Sequence, residues 1–364
     1  MYLNCEGECR KLENEIDKSK CSVGYNSLVV MPNKEVIPCP SFKWLSDQNV
    51  LMRADRWSVE FIYKNDPLFR LLRCREIDYC YNKCMFYNDC GGGCKGQKLL
   101  QSKDKFIRFL RVEKELLEDQ VFMGDLDLGD KKDVYIKNML LEINEDCRLK
   151  CVHCSTEGED KRKLSKEFIF KKVEQVLDLG IEKVSFSGGE PFLYDSLEDI
   201  ISYCVERYIE VEIYSCGVVG YNEYLSEIDK HRLKNIDKKG KVGIVFSLNG
   251  IGDNLDNIVG RKGACEKILR SIKNASELGM KIGVHFVPMK YNIEQMEDVV
   301  KVARDLGCRK VSLLRLVGQG RAEGCNDVEL GVYDIQKLKY KIKDLKEKFA
   351  DIEIDEGPPF KPLF

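Results

Sequence analysis

Three cysteines lie within eight residues, Cys147-Arg148-Leu149-Lys150-Cys151-Val152-His153-Cys154, spaced C-x3-C-x2-C. Three thiolates is an informative number. A structural zinc site closes with four protein ligands, whereas an iron-sulfur cluster held by three cysteines keeps one iron open to another ligand. The short gaps let one loop wrap three corners of a small cube. The competing reading of the spacing is a zinc knuckle completed by a distant fourth ligand. A second cluster precedes it: Cys80-x3-Cys84-x5-Cys90, then Gly91-Gly92-Gly93 and Cys94. Glycines between ligands let a backbone pass close to a metal group without a Cβ in the way, and zinc is the bland alternative there too.

These residues need elements to hold them. Met139-Leu140-Leu141-Glu142-Ile143-Asn144 reads as a buried strand ending at the cysteine loop, and a helix opens at Ser165. That puts the loop at the carboxyl end of a strand, where α/β folds place their chemistry. Further apolar runs follow at 184–187, 211–215, 242–248, 282–287 and 311–316, with helical patterns at 166–179, 264–278, 293–306 and 334–348. The alternation predicts a parallel sheet with helical crossovers. Residues 351–354 offer a further strand. Before the barrel, 28–31 and 36–39 predict a hairpin, 57–62 and 67–72 short helices, and 103–121 a longer helix followed by a polar, glycine-bounded turn at 124–130.

The C-x3-C-x2-C loop, followed one βα unit later by Gly188-Gly189-Glu190-Pro191, resembles the radical S-adenosylmethionine (SAM) superfamily. The resemblance implies a partial (β/α)6 TIM-type barrel in an α/β chain. Cys147, Cys151 and Cys154 would hold a catalytic 4Fe-4S cluster, and His153 stands where the family has an aromatic or similar residue. Gly188, Gly189 and Glu190 would orient SAM, with Glu190 meeting its ammonium group. Ser247-Leu248-Asn249-Gly250 resembles the family's S-L-D-G stretch, which makes Ser247 and Asn249 candidates for the SAM ribose or carboxylate. At the sixth strand's end, Arg315 would bind a carboxylate bidentately and Val317 would line the adenine pocket. His285 reads as a core histidine, and Cys204, Cys216, Cys265, Cys308 and Cys325 as free thiols.

The front third resembles the SPASM domain, an auxiliary iron-sulfur domain of radical SAM enzymes that modify peptides. That resemblance implies one or two further 4Fe-4S clusters. One would use Cys21, Cys39, Cys94 and an upstream cysteine, Cys9 or Cys5; the other would use Cys80, Cys84 and Cys90, with Cys74 a spare. The sequence departs from the pattern at Lys34, where the family has glycine, in the Cys80–Cys84 spacing, and in lacking a final cysteine. The order is reversed as well, as if the chain were circularly permuted. The expected division is a small N-terminal cysteine-rich iron-sulfur domain at 1–100, a helical connector at 101–135 and the barrel at 136–364.

Composition narrows the partners. Of 364 residues, 17 are cysteines, and no apolar h-region opens the chain, so metal binding in a cytoplasmic setting is expected over disulfides. A net charge of -2 with both signs interspersed argues against nucleic acid and membrane surfaces. The resemblance implies radical chemistry on a ribosomal precursor peptide or protein, installing a thioether or carbon–carbon crosslink. Electrons would come from a donor such as flavodoxin or ferredoxin, and leader recognition would fall to a separate protein. The alternatives are a formylglycine-forming sulfatase maturase and a non-enzymatic iron-sulfur redox or zinc-binding protein.

Overall fold

The computed structural model describes residues 23–73, 99, 103–123, 135–156, 161–221, 224–238, 240–323 and 328–356. Cys9, Cys21, Cys80, Cys84, Cys90 and Cys94, all expected metal ligands, lie outside them. No helix among the described residues is long and apolar enough to cross a membrane.

The chain runs β1 (Ser27–Val30), β2 (Val36–Ile37), α1 (Val59–Asn65), α2 (Pro67–Arg73) and α3 (Lys103–Met123) before β3 (Asn138–Asn144), the strand that carries the cysteine loop. Then follow α4 (Lys166–Leu177), β4 (Lys183–Gly188), α5 (Leu197–Glu206), β5 (Glu210–Ser215), a hairpin of β6 (Val218–Tyr221) and β7 (Tyr224–Glu227), and α6 (Lys230–Ile236). The remainder is β8 (Val242–Ser247), α7 (Gly252–Val259), α8 (Ala264–Glu277), β9 (Lys281–Phe286), α9 (Met296–Asp305), β10 (Lys310–Leu313), α10 (Val332–Lys348) and β11 (Glu353–Glu356).

One sheet takes nine of these strands in the order β11-β10-β9-β8-β5-β4-β3-β1-β2. From β3 to β11 the order follows the chain and every pairing is parallel. This is the parallel sheet with helical crossovers that the alternation predicted, in the α/β partial-barrel order that the resemblance implied, with β11 as a seventh parallel strand. Side chains alternate between two environments, as strand geometry requires. Val184, Phe186, Val211, Ile213, Ile244 and Phe246 are buried toward the helices. Helix α4 supplies Ile169, Val173 and Val176 to that core, and Ser165 caps its start by accepting from Phe168 N–H at 3.2 Å.

The 28–39 hairpin is continuous with this sheet. β1 pairs parallel with β3, Ser27 opposite Asn138 and Val30 opposite Leu141. A second apolar cluster covers the opposite face at this edge: Val29, Ile37, Phe42, Trp44, Phe106 and Leu110 pack with Leu140. Helix α3 therefore roofs the hairpin edge with its buried face. Lys34, where the resemblance expects glycine, sits in the hairpin turn at φ 68, the left-handed region that glycine enters without penalty.

Candidate functional site

The cysteine loop leaves β3 and is braced from four sides through its backbone. Gly189 N–H donates to Asn144 O at 2.8 Å, and Glu190 N–H to Asp146 O at 2.7 Å. Lys150 N–H and Val152 N–H donate to Val259 O and Ile258 O, each at 2.9 Å, at the end of α7. Arg148 reaches Gly220 O at 2.9 Å and pairs with Asp146 at 3.2 Å. Arg321 Nε donates to Cys151 O at 3.0 Å. Leu149, 3% exposed, plugs the loop into the core.

The glycines of Gly188-Gly189-Glu190-Pro191 serve this bracing. A Cβ on Gly188, which holds φ 120, would lie 2.2 Å from Asn144 O, and one on Gly189 would lie 2.2 Å from Asp146 O. The close approach they permit is to the cysteine loop's own backbone.

With the loop held at these points, the sulfurs are what it presents. Cys147, Cys151 and Cys154 are all half-buried free thiols. Burial, together with the neighbouring Cys147 and Cys154, drives the Cys151 thiol far above its ordinary pKa. Three thiols crowded in a buried place are stable as thiolates only with compensating positive charge, which a metal group supplies. Among the described residues no group of three or more His, Cys, Asp or Glu side chains is gathered as a single metal ion would need. Three cysteines on one loop are the donor set that a 4Fe-4S cubane with one open iron takes.

Glu190 is fully buried, and its carboxylate is committed inside the protein. Oε1 accepts from Phe192 N–H at 3.0 Å and Ser215 O–H at 2.8 Å, while Oε2 accepts from Cys216 N–H at 2.7 Å. Burial outweighs these bonds and raises its pKa above the ordinary carboxylate value. The sequence reading aimed this carboxylate at an ammonium group. In the structure it ties the ends of β4 and β5 together, and Asn144 Nδ2 fastens its carbonyl at 3.0 Å. Cys216, unmarked by any spacing, stands beside Cys147: a hydrogen bond from it holds the Cys147 thiol below its ordinary pKa and raises its own.

Asn249 also acts within the protein. Its Oδ1 accepts from Val287 N–H at 2.8 Å, so Nδ2 must donate to His153 Nε2, 3.0 Å away. His153 therefore carries its proton on Nδ1, a buried atom with no hydrogen-bond partner among the described residues. Burial and then Arg321 depress its pKa to about 4, so the ring is neutral. Asn292 fixes Asn249 in turn, donating to its carbonyl at 2.9 Å. Ser247, half-buried, ends β8 opposite His285.

Beyond β10, Arg315 and Val317 are half-buried on the segment that continues to Gln319-Gly320-Arg321. Those three residues, part of the stretch that resembles the family's sixth-strand end but given no role there, join the site to the turn after the hairpin. Gln319 accepts from Trp44 N–H at 3.0 Å and donates to Pro40 O at 2.7 Å. A Cβ on Gly320 would fall 2.5 Å from the Ser155 carbonyl carbon. Lys43 adds a second tie, paired with Glu142 of β3 at 2.7 Å and reaching Ser155 Oγ at 3.3 Å. Cys39, half-buried, precedes the short helical turn Pro40–Leu45 that carries Lys43 and Trp44.

Comparison with known proteins finds relatives of the barrel. Residues 141–306 match the family model described as the radical SAM superfamily. The Fe-coproporphyrin III synthase of Methanosarcina barkeri is 29% identical over 232 residues, 62% of this chain and 55% of that protein. The PqqA peptide cyclase of Granulibacter bethesdensis is 26% identical, over 48% of this chain and 46% of its own. The subtilosin biosynthesis protein AlbA of Bacillus subtilis is 27% identical, over 47% and 37%. The chain thus spans about half the length, or less, of these curated relatives. Among solved structures, Streptococcus suis SuiB bound to precursor peptide SuiA superposes with a TM-score of 0.54 at 16% identity, covering 68% of this chain and 62% of that one. SuiB bound to S-adenosylmethionine gives 0.53 at 16%, covering 74% and 62%. At such identity the likeness is one of fold.

Proposed function

We propose that this chain, a radical SAM protein through its residues 141–306, holds a 4Fe-4S cluster on Cys147, Cys151 and Cys154 and uses S-adenosylmethionine to start radical chemistry on a ribosomally made peptide. The observation that carries the reading is the loop itself: its backbone is tied to α7 through Lys150 and Val152 and to Arg321 through Cys151, and it presents three half-buried thiols. Bound there, the cluster and SAM would supply a 5'-deoxyadenosyl radical.

The chain's own residues orient and shield. Gly188 and Gly189 bring the β4 turn against the loop; Glu190 and Asn249 are positioning residues, acting through Cys216 and His153. His153 offers Nδ1–H as a fixed donor at the site. Arg315 and Val317 stand on the segment closing its far side and are the groups proposed for SAM's carboxylate and adenine, with Ser247 for the ribose. Two peptide-modifying relatives, PqqA cyclase and AlbA, support a peptide substrate, and a thioether or carbon–carbon crosslink is the proposed product. Flavodoxin or ferredoxin would donate electrons, and a separate protein would present the leader. Cys39, beside the site through Gln319, belongs to the proposed cysteine-rich unit at 1–100, linked by 101–135 to the barrel at 136–364. A second reading, a carboxylated tetrapyrrole as substrate, is favoured by the 232-residue match to Fe-coproporphyrin III synthase.

The test is anaerobic. The protein is reconstituted with iron and sulfide, given SAM and a strong reductant, and assayed for 5'-deoxyadenosine by chromatography and mass. Wild type should form it and Cys151→Ala should not. The variant should also lose about four irons, one cubane. About twelve irons per wild-type chain would accompany two auxiliary clusters and about eight would accompany one. Stoichiometric zinc without sulfide would sink the proposal.

A further inference from the structure

A cavity of about 490 Å³ occupies the lumen face of the sheet, running from the first residues of β8, β9 and β10 up to Tyr214, His285 and Leu314 near the strands' carboxyl ends. Its wall is open because two neighbouring strands carry glycine where a lumen-facing side chain would stand, Gly243 on β8 and Gly283 on β9. Neither has a positive φ. A Cβ at Gly243 would meet nothing closer than 3.6 Å. Glycine inside a strand weakens it and often marks a place where a ligand comes close. At Gly243 neither turn geometry nor crowding asks for it, so what the residue provides is room.

The polar groups around this room are ordered. Glu212 accepts from Tyr214 O–H at 2.7 Å and pairs with Lys183 at 3.1 Å, and the Tyr214 ring lies 5.0 Å from that of His285. Lys310 is matched by Glu353 at 3.0 Å and Asp355 at 2.8 Å. Three further cations line the floor from adjacent strands: Lys241, Lys281 and Arg309. None has an acidic partner within ion-pair distance among the described residues; the lining acids beside them are Glu210 and Glu353, the latter already paired with Lys310. Over the whole lining five cations, Lys183, Lys241, Lys281, Arg309 and Lys310, face four acids, Glu210, Glu212, Glu353 and Asp355, leaving one net positive charge beneath a glycine-lined wall about four strand residues, roughly 13 Å, long.

We infer that the lumen binds a carboxylate-bearing ligand lengthwise, its acid group on Lys281 and Arg309 and its body against Gly243 and Gly283. This deepens the radical SAM reading, because such a ligand's other end comes level with the carboxyl ends of the strands, where the cysteine loop begins. The acid group has two available sources, an acidic side chain of a peptide or a propionate arm of a tetrapyrrole.

The experiment reads binding alone, with neither SAM nor reductant, so its failure is separate from any failure to form 5'-deoxyadenosine. Calorimetric titration of the full chain uses three probes: an acetylated Gly-Glu-Gly-Glu-Gly amide, its glutamine counterpart, and coproporphyrin III. At least one carboxylate probe should bind, and the glutamine peptide should not. Gly243→Val, which fills the wall with a strand-favouring side chain, and the Lys281→Gln/Arg309→Gln double variant should each weaken binding at least tenfold. Gly243→Ala, whose Cβ makes only ordinary contacts, should retain binding and show that the strand tolerates substitution. Binding of the acidic peptide alone assigns the ligand to peptides, and of coproporphyrin III alone to tetrapyrroles. The inference is overturned if neither carboxylate probe binds, if the glutamine peptide binds equally, or if affinity is unchanged in either the Val or the double Gln variant.

Discussion

Two glutamates separate the two working regions of this barrel. Glu190, at the carboxyl end of the strands, is fully buried and takes its hydrogen bonds from Phe192, Ser215 and Cys216. Glu212, on the lumen wall, is half-buried and shares its charge with Lys183 and Tyr214 beside open space. Burial wins at Glu190 and raises its pKa. At Glu212 burial also pushes upward, but the charge of Lys183 and the hydrogen bonds from Tyr214 and Lys183 outweigh it and the pKa falls. The carboxyl end has consumed its polar groups to build a frame for three sulfurs. The lumen has kept some of its polar groups accessible.

Substitution should expose that difference most sharply at the glutamates themselves. Glu190→Ala strands a hydroxyl and two backbone N–H donors in the interior, and should cost about 3–5 kcal/mol in urea denaturation. Glu212→Ala, losing a partly exposed ion pair, should cost about 1 kcal/mol or less. Equal losses would erase the distinction. The glycines give the next contrast. Gly189→Ala forces a Cβ to 2.2 Å from Asp146 O and should cost about 3 kcal/mol while loosening iron retention. Gly243→Ala should lie within about 1 kcal/mol of wild type.

Acid titration should give slopes of opposite sign. A raised folded pKa means that Glu190's contribution is complete below the ordinary glutamate value of about 4.3 and is lost as pH rises through the folded value. The stability of wild type relative to Glu190→Gln should therefore fall with rising pH. Glu212, with its pKa lowered, contributes above that ordinary value and loses the contribution as pH falls through the folded one. Relative to Glu212→Gln, wild type should weaken on acidification, and denaturation curves at a series of pH values distinguish the two. A moderate effect is expected at Gln319→Ala, about 1–2 kcal/mol for two hydrogen bonds to the Pro40–Leu45 turn, visible as a lower melting temperature.

Much of this was legible in the sequence because it is local. Apolar runs separated by helical patterns fixed the strand series from β3 to β11, and the C-x3-C-x2-C spacing marked the loop. Residue roles were harder to read. Glu190 and Asn249 have the chemistry of ligand contacts, and only the fold brings in their hydrogen bonds with Cys216 N–H and His153. Arg148, Gln319 and Arg321 bind backbone atoms of distant segments, and no spacing rule records such partners. The hairpin was foreseen but its place was not, since a short β-branched run pairs equally well with many edges. Gly243 and Gly283 did carry a signal: each interrupts an apolar strand at an interior position.

The parallel pairing of β1 with β3 also sets an order in time. Val30 and its partner Leu141 are 111 residues apart in the chain. On a ribosome adding about 5–20 residues per second, β1 would be made roughly 5–20 seconds before the strand it joins. The first edge of the sheet to be synthesised must then wait for β3 before it can be closed. Because Trp44 and Pro40 reach Gln319, the N-terminal segment gains its final partners only after nearly the whole barrel has been made. Assembly of the cysteine loop's surroundings is in this sense a late event, governed by long-range closure more than by the local pattern that announces the site.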